Sequence, residues 1–408
     1  MRISNFSKVF ISILLLLQPV SGAANEPVRG KGGMVVSASD LASQVGLLIL
    51  KRGGNAVDAA VATGFALAVT YPAAGNLGGG GYMVIHLADG RDIALDYRER
   101  APLKATRDMF LDASGNFDIK KSTEGYTAAG IPGSVAGMLY ALEKYGSMKP
   151  EEVIQPAIEI ARDGFPLSYR LSGSIASEIN DFKKYKSSEK VFSRNGAVYK
   201  EGEIFKQPDL AATLQLIKEK GRDGFYKGKT AELMIRQSQE MGGLFTQQDF
   251  DDYKVIEKTP VKGTYRGYDI ISMPPSSAGG TALIEALNIL ENAKFQKDDW
   301  NSSGYIHILT EALKYVYADR SRYLGDDAFV KVPLSWLTSK EYGKEIFSRI
   351  GSTALASSMI APGTPAVHES DQTTHYSIAD KYGNAVSTTT TLNSSFGCKI
   401  VVDGAGFL

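Results

Sequence analysis

Thr373-Thr-His-Tyr-Ser-Ile-Ala-Asp380, Lys381-Tyr-Gly-Asn384 and Ala385-Val-Ser-Thr-Thr-Thr-Thr-Leu-Asn393 run consecutively, and their reading decides the fold. The outer pieces are dense in β-branched residues, which suit a pleated, half-buried surface, and the middle piece carries turn residues. The three predict a β-hairpin. The segment before it, Gly351 to Gln372, is rich in Ser, Thr, Ala, Gly and Pro and has little apolar periodicity. It reads as an exposed linker. Thr373 therefore opens a strand where a linker ends.

That position matters chemically. A threonine hydroxyl is a weak nucleophile unless a base lies beside it, and cutting the peptide bond between Gln372 and Thr373 would create one. The new α-amine, with an ordinary pKa of about 7.7–8.0, suits work near neutrality. Consecutive threonines also favour strand for their own sake, so local chemistry leaves both readings open. His375 shares a strand face with Thr373 by the two-residue alternation and is taken as structural.

Upstream, Leu41, Val45, Leu48 and Ile49 fall on one face of a helix that Ser39 or Asp40 would cap and Gly53-Gly54 would end. Between Val57 and Val69 apolar residues surround the whole circumference, predicting a helix buried on all sides. The glycine run Gly78 to Gly81 implies close backbone packing. It leads into Tyr82 to Leu87, a turn at Asp89-Gly90, and Ile93 to Tyr97, a second hairpin that leaves Arg98 near a strand end. From about Gly133 to Ser348 most segments read as helical, notably Val135 to Tyr145, Pro150 to Asp163, Leu210 to Lys220, Thr230 to Met241, Ala282 to Glu291 and Ser303 to Tyr317. No internal repeat is present.

The chain has 408 residues, 43% of them apolar, enough for a large core in one big domain or two intimate ones. Lys plus Arg equal Asp plus Glu at 45 each, so no global field favours nucleic acid or an anionic membrane. A small, locally recognised substrate is the expectation. Arg2 and Lys8, the apolar run Val9 to Leu17 and the small residues Ser21-Gly22-Ala23 read as a cleaved signal peptide over residues 1–23. The run is too short for a stable membrane span, so export to the periplasm or medium is expected. Cys398 is the single cysteine, which rules out an intrachain disulfide, and it reads as a small buried side chain.

Several familiar chemistries lack their starting residues. Asp223-Gly-Phe-Tyr-Lys-Gly-Lys-Thr230 approaches a phosphate-binding loop, but Asp223 stands where the first glycine is required and the preceding segment is helical. His86, His307, His368 and His375 lack metal-ligand spacing, so no metal is expected. Gly133-Ser134-Val135-Ala136-Gly137 has the wrong offsets for a serine nucleophile elbow.

Thr373-Thr-His-Tyr-Ser-Ile-Ala-Asp380, Gly383-Asn-Ala-Val386 and Thr391-Leu-Asn393 resemble the start of the small subunit of gamma-glutamyltransferases (glutathione hydrolases), members of the N-terminal-nucleophile hydrolases. Gly53-Gly-Asn-Ala-Val-Asp-Ala-Ala60, Pro72-Ala-Ala-Gly-Asn-Leu-Gly-Gly-Gly-Gly81, Asp96-Tyr-Arg-Glu99, Pro274-Pro-Ser-Ser277 and Tyr317-Ala-Asp-Arg320 resemble that family's large subunit, in the same order. The resemblance runs from about Gly32 to Leu408.

The resemblance implies an α+β fold, a four-layer αββα sandwich. It also implies self-cleavage between Gln372 and Thr373, giving a large-subunit region 24–372 and a small-subunit region from 373 that stay together noncovalently. Thr373 would then be the nucleophile and Thr391 the threonine orienting its amine. Asn393 would hold the donor's α-amino group and Arg98 its α-carboxylate, a task suited to a planar bidentate donor. Without the resemblance, Arg98 reads as part of a surface ion-pair strand, Asn393 as a turn residue and Thr391 as strand filler. The implied substrates are glutathione and related γ-glutamyl donors, with water, amino acids or dipeptides as acceptors, and the implied reaction needs no cofactor. The alternatives are a related self-cleaving acylase acting on β-lactam side chains or poly-γ-glutamate, or an inactive secreted fragment. The last arises because family members continue past the position of Leu408 with oxyanion donors and further donor-binding residues.

Overall fold

The computed structural model describes residues 27–360 and 373–408. The signal-peptide reading, Gln372 and most of the linker's second half therefore lie outside the described residues. The chain divides into Met1–Gly32 and Gly33–Leu408, and all regular elements among the described residues belong to the second unit.

Its centre is a six-stranded antiparallel sheet. In chain order the strands are β1 (Gly33–Val36), β2 (Gly80–His86), β3 (Asp92–Asp96), β4 (Ile256–Lys258), the separate hairpin β5 (Val261–Tyr265) and β6 (Tyr268–Ser272), then β7 (Thr373–Asp380) and β8 (Ala385–Thr391). The spatial order is β1-β7-β8-β2-β3-β4, so both expected hairpins form and dock side by side through β8 and β2. Burial alternates strictly along β7, with Thr374, Tyr376 and Ile378 inside and Thr373, His375 and Ser377 outside.

The buried face of the sheet meets a layer of helices. Helix α1 (Asp40–Lys51) packs along β1, α2 (Ala56–Thr70) crosses β7 and β8, and α3 (Ser134–Tyr145) crosses β2 and β3. Every residue of α2 is buried, as its all-round apolar sequence predicts. Its start is fixed by a reciprocal cap: Asn55 Oδ1 accepts from the Val57 and Asp58 amides while Asp58 Oδ2 accepts from the Asn55 amide. Asp58 reaches further, accepting from the Ser147 and Met148 amides and the Ser147 hydroxyl at 2.6–3.0 Å. The Gly53–Ala60 segment thus ties α2 to the loop after α3. Helices α4 (Pro150–Asp163), α5 (Pro208–Lys220) and α6 (Gly228–Glu240) extend this core.

A second apolar cluster lies among α7 (Gly279–Leu290), α8 (Ser303–Tyr323) and α9 (Lys340–Arg349), around Ile289, Ala312, Val316 and Ile346. The architecture is α+β, as expected. Among the described residues it comprises one extended sheet with helices on one face, plus two-stranded pairs. The sheet's other face, carrying Met34, Val84, Ser377 and Ser387, is open, with Ile271 of β6 at its margin.

Two departures from the sequence reading are instructive, and a third segment agrees with it. Hairpin β5–β6 falls inside the stretch read as mostly helical. Its two-residue turn is Arg266-Gly267, both with positive φ (49° and 86°), a geometry that matches strand twist. Helix α8 runs six residues past Tyr317, to Tyr323. The Asp223–Thr230 segment is a helical turn followed by a helix start, and Thr230 Oγ1 donates to the Gly224 carbonyl at 2.8 Å, which leaves no open phosphate cradle.

Candidate active site

Thr373 is the first residue of β7 and is exposed. Directly across the ladder its register partner is Thr391, the last residue of β8. The two threonines are thus brought together at one end of the sheet by strand pairing. Thr391 Oγ1 accepts from the Asn393 amide at 2.8 Å, and this tight turn sets Asn393 in the left-handed region at φ 70°, which asparagine tolerates better than most residues.

The glycine strip positions the same end. A Cβ at Gly79 would collide with the Thr391 carbonyl and one at Gly81 with the Thr389 carbonyl, while Gly78 lies against Leu408. Only glycine lets β8 and the chain end come this close. Asn76 locks the arrangement. Its Nδ2 donates to the Thr391 carbonyl at 2.9 Å and to Thr390 Oγ1 at 3.0 Å, and its Oδ1 accepts from the Gly79 amide and the Ser134 hydroxyl at 2.9 and 2.6 Å. Asn76 stands within a quoted motif and has no separate role in the sequence reading; an asparagine inside the glycine-rich run Gly75 to Gly81 is the signal the sequence offers.

Arg98 leaves β3 with its backbone held at both ends. Its amide donates to Asp96 Oδ1 at 3.1 Å, and its carbonyl accepts from the Tyr253 hydroxyl at 2.8 Å. The guanidinium Nε lies 3.2 Å from Glu99 Oε2 and its carbon sits 5.9 Å from the Tyr82 ring centre. Burial pushes the Glu99 carboxyl above its ordinary value, and the adjacent Arg98 charge opposes that rise.

Arg98 and Asn393 face one cavity of about 290 Å³, lined also by Gly78, Glu99, Cys398 and Phe245. Thr373 and Thr391 are not among its lining residues and sit at the adjacent strand ends. Cys398 is half-buried at this wall rather than fully buried as the sequence reading has it, and desolvation raises its thiol above the ordinary range. His375 bonds Thr389 Oγ1 at 2.9 Å and approaches Ser387 and Ser377 at 3.1 and 3.2 Å, and burial lowers its pKa. It belongs to the strand surface.

Among the described residues no group of His, Cys, Asp and Glu could hold a metal ion, and no helix is long and apolar enough to cross a membrane. What the sheet end offers is a hydroxyl at the head of an internal strand, a second hydroxyl opposite it, and a neighbouring cavity carrying a cation and an amide side chain. Such a layout suits attack on an amide whose acyl portion bears an anionic group.

The wider comparison agrees. Residues 42–408 match the family model described as gamma-glutamyltranspeptidase. The glutathione hydrolase proenzyme of Escherichia coli (strain K12) is 50% identical over 96% of this chain and 68% of its own length. The acylase ACY 1 proenzyme of Pseudomonas sp. (strain SE83) is 37% identical over 94% of this chain and 69% of its own. Among solved structures, Helicobacter pylori gamma-glutamyltranspeptidase superposes with a TM-score of 0.81 at 49% identity, covering 84% of this chain and 99% of that one. The chain belongs to the gamma-glutamyltranspeptidase family.

Proposed function

We propose that this chain performs γ-glutamyl acyl transfer and hydrolysis, with glutathione and related compounds as donors, after cutting itself between Gln372 and Thr373. The observation that carries the reading is the pairing of Thr373 with Thr391 at the sheet end beside the cavity that holds Arg98 and Asn393. Family membership supports the substrate class.

In this mechanism Arg98 receives the donor's α-carboxylate and Asn393 its α-amino group, leaving the γ-carbonyl toward Thr373. The freed α-amine of Thr373, oriented by Thr391, takes the hydroxyl proton as Oγ attacks the carbonyl carbon of the γ-amide. Collapse of the adduct breaks the γ-amide C–N bond, and the departing amine leaves with that proton. Water, an amino acid or a dipeptide then attacks the ester and releases Oγ as a hydroxyl again. Processing gives a large chain, from about residue 24 to Gln372, and a small chain from Thr373, held together noncovalently. The apolar run near the N-terminus, flanked by Arg2 and Lys8, supports export to the periplasm or medium.

A second reading, a self-cleaving acylase, is supported by the acylase relative. A donor lacking a free α-carboxylate has little use for Arg98, so the α-amide of a γ-glutamyl anilide separates the two. The decisive measurement is mass spectrometry of the purified protein. A chain beginning at Thr373 is expected, and Thr373→Ala is expected to remain one chain with no release of aniline. A small chain starting elsewhere would remove Thr373 from the nucleophile position.

A further inference from the structure

The segment Pro274-Pro-Ser-Ser277 has no part in the mechanism above, yet it reaches the Arg98 loop. Ser276 Oγ donates to Asp96 Oδ2 at 3.1 Å and lies 2.9 Å from the Tyr82 hydroxyl. A serine hydroxyl has one hydrogen, so with that hydrogen on Asp96 the Tyr82 hydroxyl is the donor in the second bond. Asp96 is the same carboxylate whose other oxygen accepts from the Arg98 amide, and Tyr82 is the ring beneath the guanidinium. One hydroxyl therefore joins the two groups that hold Arg98 from its backbone and from its side chain.

Lys258 braces the segment. Its Nζ donates to the Pro275 carbonyl at 2.6 Å, pairs with Asp327 at 2.7 Å and stands 3.5 Å from Asp96 Oδ2. The side chains of Lys258 and Asp96 are 14% and 9% exposed, so this charge is poorly screened and its geometry is well fixed. Tyr82 and Asp96 are themselves register partners on β2 and β3. The ladder fixes their spacing, and Ser276 fixes how their side chains turn.

We propose that Ser276, acting through Asp96 and Tyr82, is a positioning residue that sets the Arg98 guanidinium for the donor's α-carboxylate. This rests on the reading of Arg98 as the carboxylate clamp. Ser276 touches no substrate. Its removal would let Tyr82 swing and leave one Asp96 oxygen with only the more distant lysine, loosening the clamp without altering the reacting atoms.

The test compares Ser276→Ala, Ser276→Thr, Tyr82→Phe and Arg98→Ala in the matured enzyme, each first checked on a gel for both chains. Two donors are used, a γ-glutamyl anilide and its α-amide. For Ser276→Ala the KM of the anilide is expected to rise roughly fivefold to tenfold, with kcat within about twofold, the size of one lost hydrogen bond. Tyr82→Phe should follow in the same direction, and Ser276→Thr, which keeps the hydroxyl, should restore KM. The α-amide should be turned over equally by parent and Ser276→Ala, and Ser276→Ala should add nothing in an Arg98→Ala background.

An unchanged KM in Ser276→Ala, where Arg98→Ala raises it, overturns the proposal while leaving the clamp intact. Equal losses on both donors also overturn it, since they mark a general structural defect. If Arg98→Ala itself fails to discriminate the two donors, the clamp reading falls and the proposal with it. Should Ser276→Ala not mature, Tyr82→Phe, which deletes a single oxygen, carries the same comparison.

Discussion

Two glutamates, one beside the cavity and one in the second core, answer the cost of burial differently. Glu99 lies against the Arg98 guanidinium beside the cavity. Glu285, on α7 in the second core, is 1% exposed, and the neighbour it faces is another carboxyl, Asp319 on α8. Burial and that partner push Glu285 up to about 10, so Glu285 keeps its proton near neutrality. At Glu99 the Arg98 guanidinium opposes the rise that burial imposes, and that cation lines the cavity, where a ligand can read it. A carboxyl that keeps its proton carries no charge of its own and serves packing. The site end should therefore govern activity, and the helical end stability.

The largest expected effect tests the first half of that contrast. Arg98→Ala removes both the proposed carboxylate clamp and the positive charge beside Glu99. Hydrogen bonds to charged groups contribute about 1.5–3 kcal/mol, so kcat/KM for a γ-glutamyl anilide should fall on the order of a hundredfold. The midpoint of urea unfolding should shift little, because the Arg98 side chain is 33% exposed and its pairing is partly screened. A variant that loses stability and keeps its kcat/KM would make the Arg98–Glu99 pair a packing device like the other.

The second prediction concerns pH. A carboxyl whose folded pKa lies above its unfolded value binds more protons when folded. Its contribution is thus fully present below about pH 4.5 and is lost as pH rises toward 10. The slope cannot exceed about 1.4 kcal/mol per pH unit for one proton, and relaxation around the site reduces it. Between pH 6 and 9 the parent should lose on the order of 2 kcal/mol from this source. Glu285→Gln keeps the shape and has no proton to lose, so its unfolding free energy should fall less steeply over that range. Parallel slopes for parent and variant would mean that the pair does not hold its proton as described.

How far these features could be read in the sequence follows from where their partners lie. The β7–β8 hairpin and the all-buried α2 were legible because their signals are local: alternation, β-branching and apolar residues around a full circumference. The close packing at Gly78–Gly81 was legible for the same reason. Hairpin β5–β6 carried a local signal in Arg266-Gly267, but the mostly helical surroundings outweighed it. The environment of Arg98 was not legible. Tyr253, which holds its carbonyl, is 155 residues away in sequence, and Ser276 lies 180 residues from Asp96. Such contacts are set by tertiary packing, and neither periodicity nor composition records them. The resemblance named Arg98, while its supports required the fold. Glu285 and Asp319 were hidden similarly, since each looks like an ordinary polar position on its own helix.

The smallest effect sharpens the other half of the comparison. Tyr342 on α9 donates its hydroxyl to Asp319 Oδ2 at 2.6 Å, and its ring packs on Trp336 with centroids 4.0 Å apart. Burial, together with Asp319, raises the phenol above its ordinary range, so the donor keeps its hydrogen throughout the pH range above. Tyr342→Phe retains the ring and its contact with Trp336 and deletes only that donor. The cost should be about 1 kcal/mol, the net value of a single hydrogen bond, and should change little between pH 6 and 9. The kcat/KM should stay within about twofold of the parent, because this bond lies within the second core and reaches no residue of the Arg98 cavity. Urea unfolding and anilide turnover on the same preparation give both numbers. A stability loss near 1 kcal/mol with unchanged turnover keeps the two ends independent. A clear loss of turnover would instead mean that the hydrogen bonds of the helical module set the geometry of the site.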